Sequence, residues 1–184
     1  EDIHQLMLAH VAQGAQVVRL KSGDPTVFGR LDEELEALAA HDVSYSIVPG
    51  ITAASAAAAA VGRSLTRRGR NAQFRLITGH DMAGYAEQDW RALAKPGAVA
   101  AIYMGKKAAR FIQGRLLMHG ADPHTPVSII ENSSRPEQVI REAPLNALAK
   151  ALHDLAGPAV LLYGLSPRSA AEHVFEPQEA DLCL

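Results

Sequence analysis

Short apolar runs alternate with helix-period stretches from one end of this chain to the other, and most runs stop at a glycine or proline turn. That alternation restricts the fold to α/β layers, because a strand–helix–strand succession packs its helices back onto a sheet. The spacing predicts helices over 2–12, 31–40, 53–61, 89–93, 106–119 and 145–155. It predicts strands over 16–20, 44–48, 74–78, 98–104, 127–131, 138–141 and 159–163. In the segment 53–61 the run of Ala permits very close packing, and Thr52 is placed to cap it. A polar, Arg-rich passage at 62–71 separates two such series, so the chain is expected to divide into 1–69 and 70–184.

Composition excludes several classes. Of 184 residues, 48% are hydrophobic and 21% charged, which is enough apolar surface for a folded core. Aromatics at 5% suit helices tightly packed on a sheet better than an all-β sandwich. A net charge of −2 provides no global basic field for nucleic acid. The single Cys183 leaves no internal disulfide framework and no cysteine zinc site, and the eight His are scattered without ligand spacing, so no metal is expected. No apolar stretch reaches the ~18 residues of a membrane span, and no signal peptide is visible. A soluble, cytoplasmic protein is the expectation.

Function in open α/β sheets collects at the carboxyl ends of strands. Five predicted strand ends carry Gly, Ser, Thr or Asn: Ser22-Gly23-Asp24-Pro25, Pro49-Gly50-Ile51-Thr52, Gly79-His80, Met104-Gly105 and Glu131-Asn132-Ser133. Glycine lets the main chain approach a ligand with no Cβ in the way. The same residue types also dominate ordinary turns. None of the loops is a Gly-x-Gly-x-x-Gly fingerprint, a P-loop or a Gly-x-Ser-x-Gly elbow.

Taken in order, the segments VVRLKSGDPTVFGR with Glu33-Glu34, VPGITAASAAAAAVGRSLTRR, LITGHD, AIYMG, SIIEN and GPAVLLYG resemble the uroporphyrinogen-III C-methyltransferases, within the wider tetrapyrrole methylase family. The resemblance implies two α/β domains with S-adenosyl-L-methionine in the cleft between them, working as a metal-free homodimer. By motif it implies cofactor contacts from Ser22, Gly23, Asp24, Val27, Thr52, Ala53, Met104 and Ser133, with Asp24 accepting from an ammonium or anchoring its own turn. It makes Arg30 and Glu33 the candidates for orienting the substrate and handling one proton. The implied substrate is a reduced tetrapyrrole ringed with carboxylates, and the implied by-product is S-adenosyl-L-homocysteine. Arg63, Arg67, Arg68, Arg70 and Arg75, with Arg30, offer forks that match carboxylates. His80 is a further candidate beside the cleft.

Alternatives of the same or a related fold are a methylase acting on a later precorrin, a 2′-O-methyltransferase acting on RNA, and a catalytically inert piece. The resemblance departs at Ser22 and Thr26, where the family has Gly and Phe. It departs again at Leu31-Asp32 for Gly-Gly, at Ser64 and Arg67 in the family's Pro-Leu-Thr-His-Arg, and at Ser133 for Gly. It also implies an opening strand and a Gly-x-Gly-Pro-Gly-Asp-Pro loop ahead of residue 1, so that the first domain is expected to be incomplete here.

Overall fold

A computed structural model describes residues 2–166; Cys183 lies outside the described residues. The chain forms two compact units, residues 1–53 and 54–184.

The first unit contains helix α1 (Asp2–Ala12) and helix α2 (Leu31–Ala39). Glycine ends the first: Gly14, with φ 79°, occupies the left-handed position that closes a helix. Helix α2 opens with Asp32, Glu33 and Glu34 in its first turn, where carboxylates complement the helix dipole. The strands expected over 16–20 and 44–48 do not form: neither segment joins a hydrogen-bonded ladder. Their aliphatic side chains stand in the open, with Val18 75% and Val48 78% exposed. Alternating sequence makes a segment competent for a sheet, but a strand exists only when a neighbour pairs with it.

The second unit opens with helix α3 (Ala53–Ala60) and is built on a five-stranded sheet. In chain order come β1 (Arg75–Thr78), the short hairpin β2 (His80–Asp81) and β3 (Gly84–Tyr85), and α4 (Trp90–Leu93). There follow β4 (Ala100–Tyr103), α5 (Ala109–Met118), β5 (Pro126–Glu131) and β6 (Val139–Pro144). A 3₁₀ turn at Leu145–Ala147, α6 (Leu148–Ala151) and β7 (Ala159–Tyr163) complete the described residues. The strand order is β1-β4-β7-β5-β6, with β1 and β4 parallel and the other neighbours antiparallel.

Both faces of the central strands β4, β7 and β5 are buried, and strand periodicity sorts the core into two layers. Ala100, Ile102, Val127, Ile129, Leu161 and Tyr163 point into one cluster with Trp90 and Leu93 of α4, Ile112 and Leu116 of α5, and Leu148 of α6. Ala101, Ile130, Val160 and Leu162 point into the other, against Ala54, Ala57, Ala58 and Val61. Alanine on α3 is what lets a helix lie so close to the sheet, and this packing puts α3 with the second unit. Helix 106–119 shortens to α5, and helix 145–155 divides into the 3₁₀ turn and α6. The hairpin β2–β3 has no apolar alternation to announce it and reads as a loop in the sequence.

Candidate functional site

Within the first unit, two of the five turns come together. Gly50 rests so tightly on the backbone of Gly23 that a Cβ there would collide with the Gly23 carbonyl. Gly23, at φ 74°, in turn lies beside Ile51 O and Thr52 Cα. Ser22, Gly23, Asp24, Thr52 and Ala53 are thereby gathered at one place, with main chain rather than side chain facing main chain. Only glycine permits that approach at Gly50.

Asp24 anchors its own turn. Its Oδ1 accepts from Thr26 N at 2.8 Å and from Thr26 Oγ1 at 2.6 Å, and Val27 N donates to Asp24 O at 3.2 Å. The Thr26 hydroxyl, and then its backbone amide, hold the Asp24 carboxyl below its ordinary value, so it is ionised at neutral pH. Thr26, a departure from the family pattern, is therefore built into the loop as the partner of Asp24.

Arg30 and Glu33 form one unit. Arg30 Nε donates to Glu33 Oε1 at 2.8 Å, and Arg30 Nη2 donates to Glu33 Oε2, a two-pronged pair. Arg30 is the residue before α2 and has φ 53°, a left-handed conformation that an L-residue adopts only under constraint. The Arg30 bond, above all, keeps the Glu33 carboxyl below its usual range. Sequence reasoning missed what lies behind this pair. Glu34 is buried, takes Lys21 Nζ at 2.8 Å on one oxygen and Arg19 Nε at 3.2 Å on the other, and Lys21 also donates to Gly29 O. The available signal was Lys21 and Glu34 flanking the loop, but only folding makes them neighbours.

In the second unit, Met104 and Ser133 follow the carboxyl ends of β4 and β5, at the same end of the sheet, with β7 between those strands. Met104 has φ 52° and is half exposed. The Met104-Gly105 turn is pressed onto Gly79 at the end of β1, where a Cβ would lie 2.9 Å from Gly105 Cα and 3.1 Å from Met104 O. Asn132 (φ 51°) and Ser134 (φ 64°) bracket Ser133, whose buried Oγ has no hydrogen-bond partner among the described residues. Buried hydroxyls are rarely left so. Around it, Gly157 N donates to Glu131 Oε1, Asn132 N donates to Pro158 O at 2.9 Å, and Lys106 Nζ donates to Gly157 O at 3.1 Å. Tyr103, not among the expected site residues, caps α3 by accepting from Ala54 N at 2.9 Å through its hydroxyl.

The Arg-rich passage is an ordered loop. Arg70 Nε donates to Asn71 Oδ1 at 2.7 Å and Arg70 Nη2 to Ser64 O at 2.7 Å, while Asn71 Nδ2 reaches Leu65 O and Gln73 O. An open cavity of about 680 Å³ is lined by Thr66, Arg67, Arg68, Gly69, Arg70, Asn71 and Ala72. Burial first, then the like charges of Arg67 and Arg63, push Arg70 below the usual guanidinium value. Crowded cations of this kind attract an anion. Arg63 Nε donates to Ser166 O at 2.5 Å, and Arg75 leaves the cluster for β1, where it lies 3.7 Å from Asp89. His80 turns to its own hairpin, its ring set T-shaped to that of Tyr85 with the centroids 5.5 Å apart.

Among the described residues no His, Cys, Asp and Glu group has metal-site geometry, and no helix is long and apolar enough to cross a membrane.

The sequence profile of the tetrapyrrole (corrin/porphyrin) methylases matches residues 1–149. The chain belongs to that family. A siroheme synthase of Edwardsiella ictaluri is 43% identical over 164 residues, and siroheme synthase 1 of Aeromonas hydrophila is 44% identical over 162. These cover 89% and 88% of the chain but 35% of each relative, so the chain spans about a third of their length. Among solved structures, the uroporphyrin-III C-methyl transferase of Thermus thermophilus, complexed with S-adenyl homocysteine, superposes with a TM-score of 0.75 at 33% identity. That match covers 95% of this chain and 74% of the other. A cobalt precorrin-4 methyltransferase superposes at 0.79 with 25% identity, covering 88% and 69%. The tetrapyrrole methylase fold expected from the motifs is therefore the fold of this chain.

Proposed function

We propose that this chain is the methyl-transferring part of a uroporphyrinogen-III C-methyltransferase, using S-adenosyl-L-methionine to make precorrin-2 for siroheme or cobalamin synthesis. The observation that carries the reading is the meeting of the Gly-Asp-Pro and Pro-Gly turns at Gly23 and Gly50, main chain against main chain. The left-handed Met104 and the unpaired Ser133 hydroxyl support it, because a cofactor with polar ends and a sulfonium suits them.

S-adenosyl-L-methionine, when bound, supplies an electrophilic methyl group. Everything else falls to the chain. Ser22, Gly23, Asp24 and Val27, with Thr52 and Ala53, hold the cofactor by backbone. Met104 gives it a soft apolar contact, and Ser133 a hydroxyl. Arg30 stays charged and orients a carboxylate of the macrocycle, while Glu33, ionised at neutral pH, accepts the proton released at carbon. The Arg67–Arg70 loop binds further carboxylates. A homodimer in the cytoplasm is the assembly we expect.

The test is titration of the chain with S-adenosylhomocysteine, followed by turnover of uroporphyrinogen III. Binding of one equivalent per chain and formation of a doubly methylated product support the reading. Binding without turnover of any tetrapyrrole overturns the catalytic part of it, and absence of both overturns the whole. Likeness to the cobalt precorrin-4 methyltransferase, together with Ser22 and Thr26, favours a second reading in which a later precorrin is the substrate. Competition between uroporphyrinogen III and precorrins separates the two.

A further inference from the structure

The loop from Ser22 to Gly29 is held in two different ways. Its first half is held without Lys21, with Asp24 accepting from the Thr26 amide at 2.8 Å and hydroxyl at 2.6 Å, Val27 N closing on Asp24 O at 3.2 Å, and Gly23 packed on Gly50. Its second half carries the strain. Phe28 and Arg30 are both left-handed, at φ 50° and 53°, and between them Gly29 is pressed onto Pro25 so closely that no Cβ fits. Conformations of this kind persist only where the surroundings impose them.

Lys21, just before the loop, reaches across its mouth. Its ammonium donates to Gly29 O and to Glu34 Oε2, the latter at 2.8 Å, with only 12% of the Lys21 and 9% of the Glu34 side chain exposed. Arg19 Nε occupies the other Glu34 oxygen at 3.2 Å. Glu34 follows Glu33 on α2, so the clamp and the Arg30–Glu33 pair hang from the same helical turn. An ammonium with three donors on a long stem can serve a carbonyl and a carboxylate at once.

We propose that Lys21 is a positioning residue for methyl transfer. By tying the Gly29 carbonyl to the Glu34 carboxylate it holds the Phe28–Arg30 turn in its left-handed form and presents Arg30 and Glu33 to the substrate. The Asp24 half of the loop keeps its shape without it. The proposal rests on the assignment of Arg30 and Glu33 made above.

The experiment is Lys21→Met in the full chain, with S-adenosylhomocysteine affinity read by calorimetry and steady-state kinetics read on uroporphyrinogen III. Affinity stays within about threefold while kcat falls about 100-fold, the scale of a small misplacement of reacting groups. Lys21→Met/Glu34→Gln, which removes a carboxylate left with Arg19 alone, recovers thermal stability but not kcat. Combined with Arg30→Ala, Lys21→Met costs less than about a further twofold, because the two act through one element. The proposal is overturned by an unchanged kcat, by affinity falling as far as kcat, by kcat returning in the Lys21→Met/Glu34→Gln double variant, or by losses that multiply with Arg30→Ala. If the parent chain turns over no tetrapyrrole, the function reading fails, and hydrogen exchange decides the clamp on its own. Amides from Phe28 to Leu31 then exchange at least about tenfold faster in Lys21→Met, with Thr26 and Val27 unmoved. Acceleration spread evenly over the loop, or none, overturns the clamp.

Discussion

The two compact units of this chain are stabilised by different physics. In the second, the central strands of a sheet are buried on both faces, and Ile129, Leu161 and Leu162 are fully withdrawn from water. Shape comes from apolar packing, and the ladder pairs the backbone. In the first, the segments expected as strands are unpaired, with Leu20 81% and Val48 78% exposed. There the shape of the loop comes from glycine contacts, an aspartate-anchored turn and the pairing of Lys21 and Arg19 with the buried Glu34. Aliphatic side chains thus form a core in one place and stand exposed in the other, because burial needs a partner face.

The comparison breaks most directly with Leu161→Ala. Loss of a fully buried side chain is expected to cost about 2–5 kcal/mol, read as a shifted urea midpoint for the second unit; a cost below about 1 kcal/mol would mean that this core is looser than its burial implies. Next is Glu34→Ala, which leaves Lys21 and Arg19 without their carboxylate. About 3 kcal/mol is expected, confined to protection of the loop and α2 in hydrogen exchange. An even loss across both units would contradict the separation drawn here.

The same group sets an acid dependence. Burial disfavours the Glu34 charge, but the Lys21 and Arg19 contacts outweigh it, and the carboxyl lies below its ordinary value. With the folded value depressed, the unfolded chain binds the extra proton first. The contribution is therefore complete above the unfolded value of about 4.3 and is lost as pH falls through the folded one. Loop protection in the parent should decline over that acidic window, and in Glu34→Gln the decline should be smaller, leaving the share of Asp24 and Glu33.

Tyr103→Phe removes the hydroxyl that caps α3 at Ala54 N and is expected to cost about 1 kcal/mol. A larger loss would mean that the hydroxyl supports more than the helix end. Smallest is Val48→Ser, which should stay within about 0.5 kcal/mol of the parent because the side chain already stands in water. A clear loss there would show that this segment is covered in solution.

Much of the second unit was legible in the sequence. The strand at Ala159–Tyr163 and helix α3 follow from apolar patterning and from alanine, because both are buried elements whose periodicity reflects their neighbours. The hairpin at His80–Tyr85 was not legible, since two-residue strands carry no period. The site divides in the same way. Gly23, Asp24, Arg30 and Met104 stand out by motif, but that Thr26 is the partner of Asp24, or Tyr103 the cap of α3, does not.

By itself the sequence determined the α/β alternation of the second unit, the family, and which residues have the chemistry to bind a carboxylate or let a backbone approach. Those properties are local, written in residue type and spacing. Only the tertiary structure decided that 16–20 stays unpaired, that Arg75 leaves the arginine cluster for Asp89, and that Lys21 spans the mouth of its loop to Glu34. Each of these depends on which distant group lies within hydrogen-bonding reach, and the free energy of such a contact exists only once the chain has brought the two together.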